Sequence, residues 1–436
     1  MKKTMIVAVT LAAMGIGAHA QSGTNSPYSQ YGLGVLADQA TSFNRGMNGL
    51  AYGLRTSNQV NYKNPASYSS VDSLTFIFDA GVSMQLTNFE EGGKKINARN
   101  ADFEYAVATF RAARKLGISF GILPYTNVGY SYNNTQRVNE MPSPSTANAT
   151  YTNTYTGSGG LRQIYLGAGW EPFRGFSFGA NIAFLWGDYT RSVVNSYSDT
   201  YVNTLSKQYS AEVKSYKLDV GVQYDAKLGA KDNVVFGLTY SLGHKLGSDP
   251  KCQVVSTNSQ TAVADTTSYT VKNGLSIPHV FGAGFAWTHN RQLTIGADYQ
   301  WQKWSKIEFP QYTIVNNQPT YKLLSDQFSD MHKLTLGADY CKNTYSRSFF
   351  NRLHYRAGVS YATPYLKING QEGPKELSIS AGFGIPIVNG YNSRSVLHIS
   401  GQWVRQEAAG FIKENTYRIN IGFTFNEKWF AKFKVD

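Results

Sequence analysis

Phe176-Ser177-Phe178-Gly179-Ala180-Asn181-Ile182-Ala183-Phe184-Leu185-Trp186 decides the fold of this chain. In an extended strand every second side chain points the same way. Phe176, Phe178, Ala180, Ile182, Phe184 and Trp186 therefore form an apolar face, with Ser177, Gly179, Asn181 and Ala183 on the small or polar one. A strand that crosses a bilayer within a closed barrel needs that division, its apolar face toward lipid and the other toward the lumen.

Working outward, the same alternation recurs in fourteen segments. The first carries Leu74, Phe76, Phe78, Ala80, Val82, Met84 and Leu86 on one face. The next three span about 102–110, 116–132 and 161–170, and the stretch quoted above is the fifth. The sixth sets Tyr216, Leu218, Val220, Val222 and Tyr224 against Lys217, Asp219, Gly221 and Gln223. Eight more follow at 234–242, 281–287, 293–301, 334–340, 355–361, 377–385, 397–403 and 417–425. Short connections (111–115, 171–175, 289–291) alternate with long polar ones (133–160, 191–207, 243–274, 305–327), as periplasmic turns and outer loops do; the turn at 342–351 is longer than its class. Trp170, Trp186, Trp287 and Trp301 fall near strand ends, where interfacial girdles sit. Soluble β-sandwiches also alternate, but their strands average about 5–6 residues, and many of these are longer. The sequence predicts an all-β fold, a 14-stranded antiparallel transmembrane β-barrel.

The first twenty residues read as a signal peptide. Lys2 and Lys3 open it, 5–17 is apolar, and Ala18-His19-Ala20 forms an A-x-A site before Gln21. The apolar run is shorter than the ~20 residues a helical span needs, and no cysteine follows the site to take a lipid. The reading is export to the outer membrane of a Gram-negative cell. A mean hydropathy of −0.33 does not oppose a barrel, because half of every strand is polar. Sparse charge (16%) beside 41 glycines favours β structure. Cys252 and Cys341 are expected in an outer loop and near the periplasmic rim, too far apart to bond. The formal charge of +13 suits anionic head groups or acidic ligands, and solvated loops equally.

Enzymatic readings find no support. His19, His244, His279, His289, His332, His354 and His398 lack metal-ligand spacing, and there is no G-x-S-x-G nucleophile elbow. No cofactor, metal or nucleic-acid partner is expected.

Residues 21–72 break the alternation. They are rich in Asn, Ser, Gly and Tyr, and read as a compact segment packed inside or beneath a barrel formed by 73–436. Ser42-Phe43-Asn44-Arg45-Gly46-Met47-Asn48-Gly49 is followed by Asn61-Tyr62-Lys63-Asn64-Pro65-Ala66. Further along come Ile277-Pro278, Ala297-Asp298-Tyr299 with Trp304, and Tyr355-Arg356-Ala357-Gly358-Val359-Ser360-Tyr361. In order and spacing these resemble the FadL/TodX family of outer-membrane transporters for hydrophobic compounds, over nearly the whole mature chain. The resemblance implies an N-terminal hatch containing Asn64, Pro65 and Ala66, and a lateral gap at a kinked third strand.

The residues themselves point to the same strand. Pro124 cannot donate to a sheet ladder, and a closed barrel has no free edge to absorb the missing bond. Pro124 and Tyr125 are thus candidates for a lateral gate, with a rim position or a bulge as the alternative. Ligand-contact candidates in the hatch are Tyr28, Tyr31, Leu33, Val35 and Leu36. Arg45 is expected to pair with an inward carboxylate such as Asp79, Asp219 or Asp298. The tail 426–436 extends strand fourteen or lies free at the periplasmic face.

The expected function is passive uptake of a long-chain fatty acid or other hydrophobic small molecule, released sideways into outer-membrane lipid. The alternative is a platform subunit of a secretion or assembly complex, binding proteins through its outer loops or tail. An apolar tunnel would favour the first, a hatch that seals the lumen the second.

Overall fold

A computed structural model describes residues 23–137, 150–387 and 395–427. Fourteen antiparallel strands form its wall. They are β1 (Phe76–Glu91), β2 (Lys94–Ala113), β3 (Leu116–Pro124, continued by Thr126–Arg137), β4 (Thr150–Phe173), β5 (Phe176–Tyr197), β6 (Thr204–Leu228) and β7 (Asp232–Ser241). The ring continues with β8 (Val280–His289), β9 (Leu293–Gln302), β10 (Met331–Tyr340), β11 (His354–Ala362), β12 (Lys375–Ile387), β13 (Ser395–Glu407) and β14 (Lys413–Glu427). Each pairs with the next, and β14 returns to β1 from Phe76↔Glu427 to Glu90↔Lys413, closing the barrel. Burial alternates as the sequence requires. Along Phe176–Leu185 every second residue is exposed, and Ile182 keeps 59% of its surface.

The wall is lopsided. β4, β5 and β6 have 24, 22 and 25 residues, whereas β7 to β10 have 10 each, close to the ~9–11 that a tilted span needs. The surplus stands above the membrane. Much of the polar sequence expected as loop is therefore sheet. Thr126–Arg137, β4, β5 and β6 continue upward and add a hairpin, Lys251–Thr257 with Ala264–Thr270, to the edge of β6. Phe309–Val315 and Gln318–Leu324 form another hairpin in the next long connection. Polar strands with no lipid to face lose the apolar alternation, so they read as loops.

This outer sheet bends where the membrane part ends. Gly159, Gly160 and Gly187 adopt φ of +114°, +141° and +144°, which L side chains avoid. A Cβ on Gly187 would lie 2.2 Å from the Gly160 carbonyl oxygen. Leu161, Leu185, Tyr189 and Val213 then pack with Trp304 and Phe328 into an apolar core capping the barrel mouth. Cys252 and Cys341 are free, one in the outer hairpin and one at the turn after β10. The proposed signal peptide and the tail beyond Glu427 lie outside the described residues.

Candidate functional site: lumen, N-terminal segment and wall seam

Residues 23–75 run inside the ring and are held there by polar contacts to the wall. A short helix, α1 (Ser42–Arg45), places Arg45 with 1% of its surface exposed. Its guanidinium donates to Glu104 at 2.8 Å and to the Ala40 carbonyl at 2.9 Å. None of the three aspartates expected to receive Arg45 does so. Asp79 accepts from Tyr105 and Thr424, Asp219 sits against Lys217, and Asp298 accepts the backbone N–H groups of Ala51 and Tyr52 at 2.6 and 3.0 Å. Glu104 turns inward because of a bulge. Gly81 faces Tyr105 and Val82 faces Phe103, leaving Glu104 without an opposite number. The signal was present in the sequence: strict alternation from Phe110 would aim Glu104 at lipid, where a carboxylate is costly.

Gly46 lies against the Arg356 stem, where a Cβ would be 3.0 Å away. The Asn64-Pro65-Ala66 element starts the 3-10 turn Pro65–Ser70. The Asn64 side chain accepts from Ala66 N–H and donates to the Tyr52 carbonyl at 2.9 Å. Small wall residues let this backbone approach, since a Cβ at Gly179 or Gly169 would fall 2.5 or 2.3 Å from Pro65. Arg55 ties the lower edge to Glu171 at 2.8 Å.

Above this layer lies a cavity of about 280 Å³ whose lining includes Asp38, Lys63, Lys217, Asp219, Glu376 and Arg418. Burial opposes ionisation of Asp38, but the Lys63 ammonium and the Arg45 guanidinium hold its carboxyl below the usual carboxylate range. Lys63 is half-buried, and desolvation pushes it below the ordinary lysine value despite Asp38. Lys333 pairs with Glu376 at 3.3 Å. The space is mixed in character rather than an apolar tunnel: Val35, Leu36, Tyr125, Met331 and Tyr365 line it beside the charged groups. Tyr28, Val35 and Leu36 line it, Leu33 belongs to the capping core, and Tyr31 packs beside that core.

The third strand is interrupted at Tyr125. Its first piece pairs with β2 only from Ala113↔Leu116 to Ala106↔Ile122. Its second piece pairs with β4, and where β2 would lie it meets Val35 and Leu36 of the N-terminal segment instead. Among the described residues no strand pairs with the far edge of β2 above Ala106. The seam is filled from inside. Ala37 N–H donates to the Tyr125 carbonyl at 3.0 Å and Gln39 to the Pro124 carbonyl at 2.7 Å. Asn25 donates to the Arg99 carbonyl at 3.3 Å, and the Ser29 hydroxyl meets the backbone of Gly129. Asn25, Ser29 and Gln39 escape sequence reasoning, because ordinary polar residues acquire this role only through the topology.

Solved structures similar to this chain include transporters and channels. The Pseudomonas putida toluene transporter TodX matches at 14% identity, over 92% of this chain and 100% of its own, with a TM-score of 0.60. The Ralstonia pickettii toluene transporter TbuX matches at 14% identity, over 89% and 98%, with a TM-score of 0.59. A Pseudomonas aeruginosa FadL homologue matches at 11% identity, over 91% and 99%, with a TM-score of 0.61. At such identities the likeness is one of fold, an outer-membrane barrel of the FadL/TodX type. No curated protein matches the sequence. A family model described as BamG matches residues 1–436, the whole chain, and the chain therefore belongs to the BamG family.

Proposed function

We propose that this barrel is a sealed platform subunit of an outer-membrane protein assembly or secretion complex, with residues 21–72 as its hatch. One observation carries the reading: the lumen is occupied below by the N-terminal segment and above by an apolar core, and the space between mixes charged groups with apolar ones. Burying an alkyl chain yields about 0.8 kcal/mol per CH₂ only where the surroundings are apolar. A route past Lys63, Lys217, Asp219 and Arg418 offers only part of that gain. The family match over the full length supports a role of its own, since the likeness to channels is confined to the fold. Partners would meet the outer hairpins, where Tyr201, Val263 and Ile314 are exposed, or the tail after Glu427.

A second reading, uptake of a hydrophobic compound with lateral release at Pro124–Tyr125, is favoured by the interrupted third strand and by the fold shared with hydrocarbon channels. Two measurements separate them. Proteoliposomes should take up labelled oleate or toluene no faster than empty vesicles, and photo-crosslinkers at Tyr201, Val263 and Ile314 should trap one discrete protein in cells. Saturable uptake with no protein adduct would reverse the order.

A further inference from the structure

Just below the seam, the lipid-facing wall is not flat. A cavity of about 780 Å³, lined almost wholly by apolar atoms, runs across β1 to β6 and includes Phe78, Ala108, Phe120, Ile164, Phe184 and Tyr216. The register explains its shape. Ala108 lies between Phe78 on β1 and Phe120 on β3, and the row above reads Ala80, Ala106, Ile122, Ile164, Phe184 and Tyr216. Small side chains flanked by large ones leave an open apolar trough. Ala108 keeps only 3% of its surface although its side chain points outward.

The next row toward the outer face changes character. Arg162 on β4 pairs with Trp186 on β5, which pairs with Lys214 on β6. Arg162 and Lys214 are exposed, and Trp186 stacks on Phe184, the residue below it in the trough, with ring centroids 5.8 Å apart. Two cations and an indole at head-group height, directly above an apolar trough, are what a phosphate-bearing lipid presents in reverse. Glu212 beside Lys214 takes part of that charge, leaving Arg162 as the principal anion contact.

We propose that the trough and the Arg162–Trp186–Lys214 row form a binding site for a phosphate-bearing acylated lipid of the outer leaflet, acyl chain along Ala106 and Ile122 and phosphate on Arg162. The site lies outside the lumen and holds whichever role the barrel has.

The test is native mass spectrometry of the detergent-solubilised protein with lipid A or dephosphorylated lipid A added. Wild type should retain lipid A about tenfold better than the dephosphorylated form, the effect of one charge-assisted contact. In the pair Arg162→Gln with Lys214→Gln that preference should vanish, and Ala106→Phe, which fills the trough, should lower retention of both lipids. Equal retention of the two lipids by wild type, or retention unmoved by Ala106→Phe, would overturn the site. All three side chains face outward, so folding, followed by heat-modifiable gel migration, serves as the control.

Discussion

The wall from β7 to β12 and the wall from β2 to β4 use the same alternation but close differently. From β7 to β12 each strand is paired along its membrane-crossing length by its neighbours. Between β2 and the upper half of β3 the neighbour is missing, and Val35, Leu36, Asn25, Ser29 and Gln39 of the N-terminal segment take its place. The first region is stable by its own ladder. The second depends on a segment threaded through the lumen, so hatch and wall cannot be altered independently there.

The largest effect should come from the buried pair that fixes the hatch to β2. Arg45→Ala leaves Glu104 buried without its cation and should cost about 3–5 kcal/mol, read as a lower unfolding temperature. Replacing Glu212, whose partner Lys214 is exposed on β6, should leave that temperature unchanged. If the two changes are equally mild, the hatch is not anchored through Arg45.

Next comes the bend that lets the outer sheet fold over the mouth. Gly187→Val forces a β-branched residue into φ of +144° with its Cβ against the Gly160 carbonyl, a strain of about 1–3 kcal/mol. Limited proteolysis should cut the outer extensions of β4 to β6 faster, with the membrane part unaffected.

A smaller change tests the borrowed strand directly. Ala37 N–H faces the Tyr125 carbonyl, so in an antiparallel ladder Val35 N–H, two residues away, faces Asn127 and Leu36 N–H does not. Val35→Pro should raise ion conductance in planar bilayers, and Leu36→Pro should raise it less. Equal behaviour would mean that the seam is not sealed by this ladder. The smallest effect is expected from Pro124→Ala. Hydrogen exchange at residues 126–128 should barely change, because the hatch and the Leu161 carbonyl, which accepts Tyr125 N–H, hold the break open. A continuous β2–β3 pairing in that variant would make the proline itself the cause.

The continuous wall was legible because lipid enforces the pattern: Phe176 to Trp186 or Leu334 to Tyr340 can face a bilayer in only one phase. Two features followed other rules. Glu104 and Tyr105 both point inward, which a strict period of two forbids and a bulge permits. The sheet above the membrane faces water on one side and Trp304 or Phe328 on the other, so its residues at 133–137 and 150–160 looked like loop. Pro124 and Tyr125 were identifiable as the place where the ladder fails, but which residues fill the failure depends on chain threading that no local pattern records. The candidate ligand contacts divided for a similar reason: Tyr28, Val35 and Leu36 reach the cavity while Leu33 is spent on the capping core.

A sealed barrel that works by binding a protein should be isolated with that protein attached. Native mass spectrometry of the protein, extracted in mild detergent from the outer membrane that makes it, tests this most directly. The expected species is a barrel carrying one stoichiometric protein partner and no unphosphorylated apolar ligand. A barrel alone, holding one fatty acid or hydrocarbon, would contradict it.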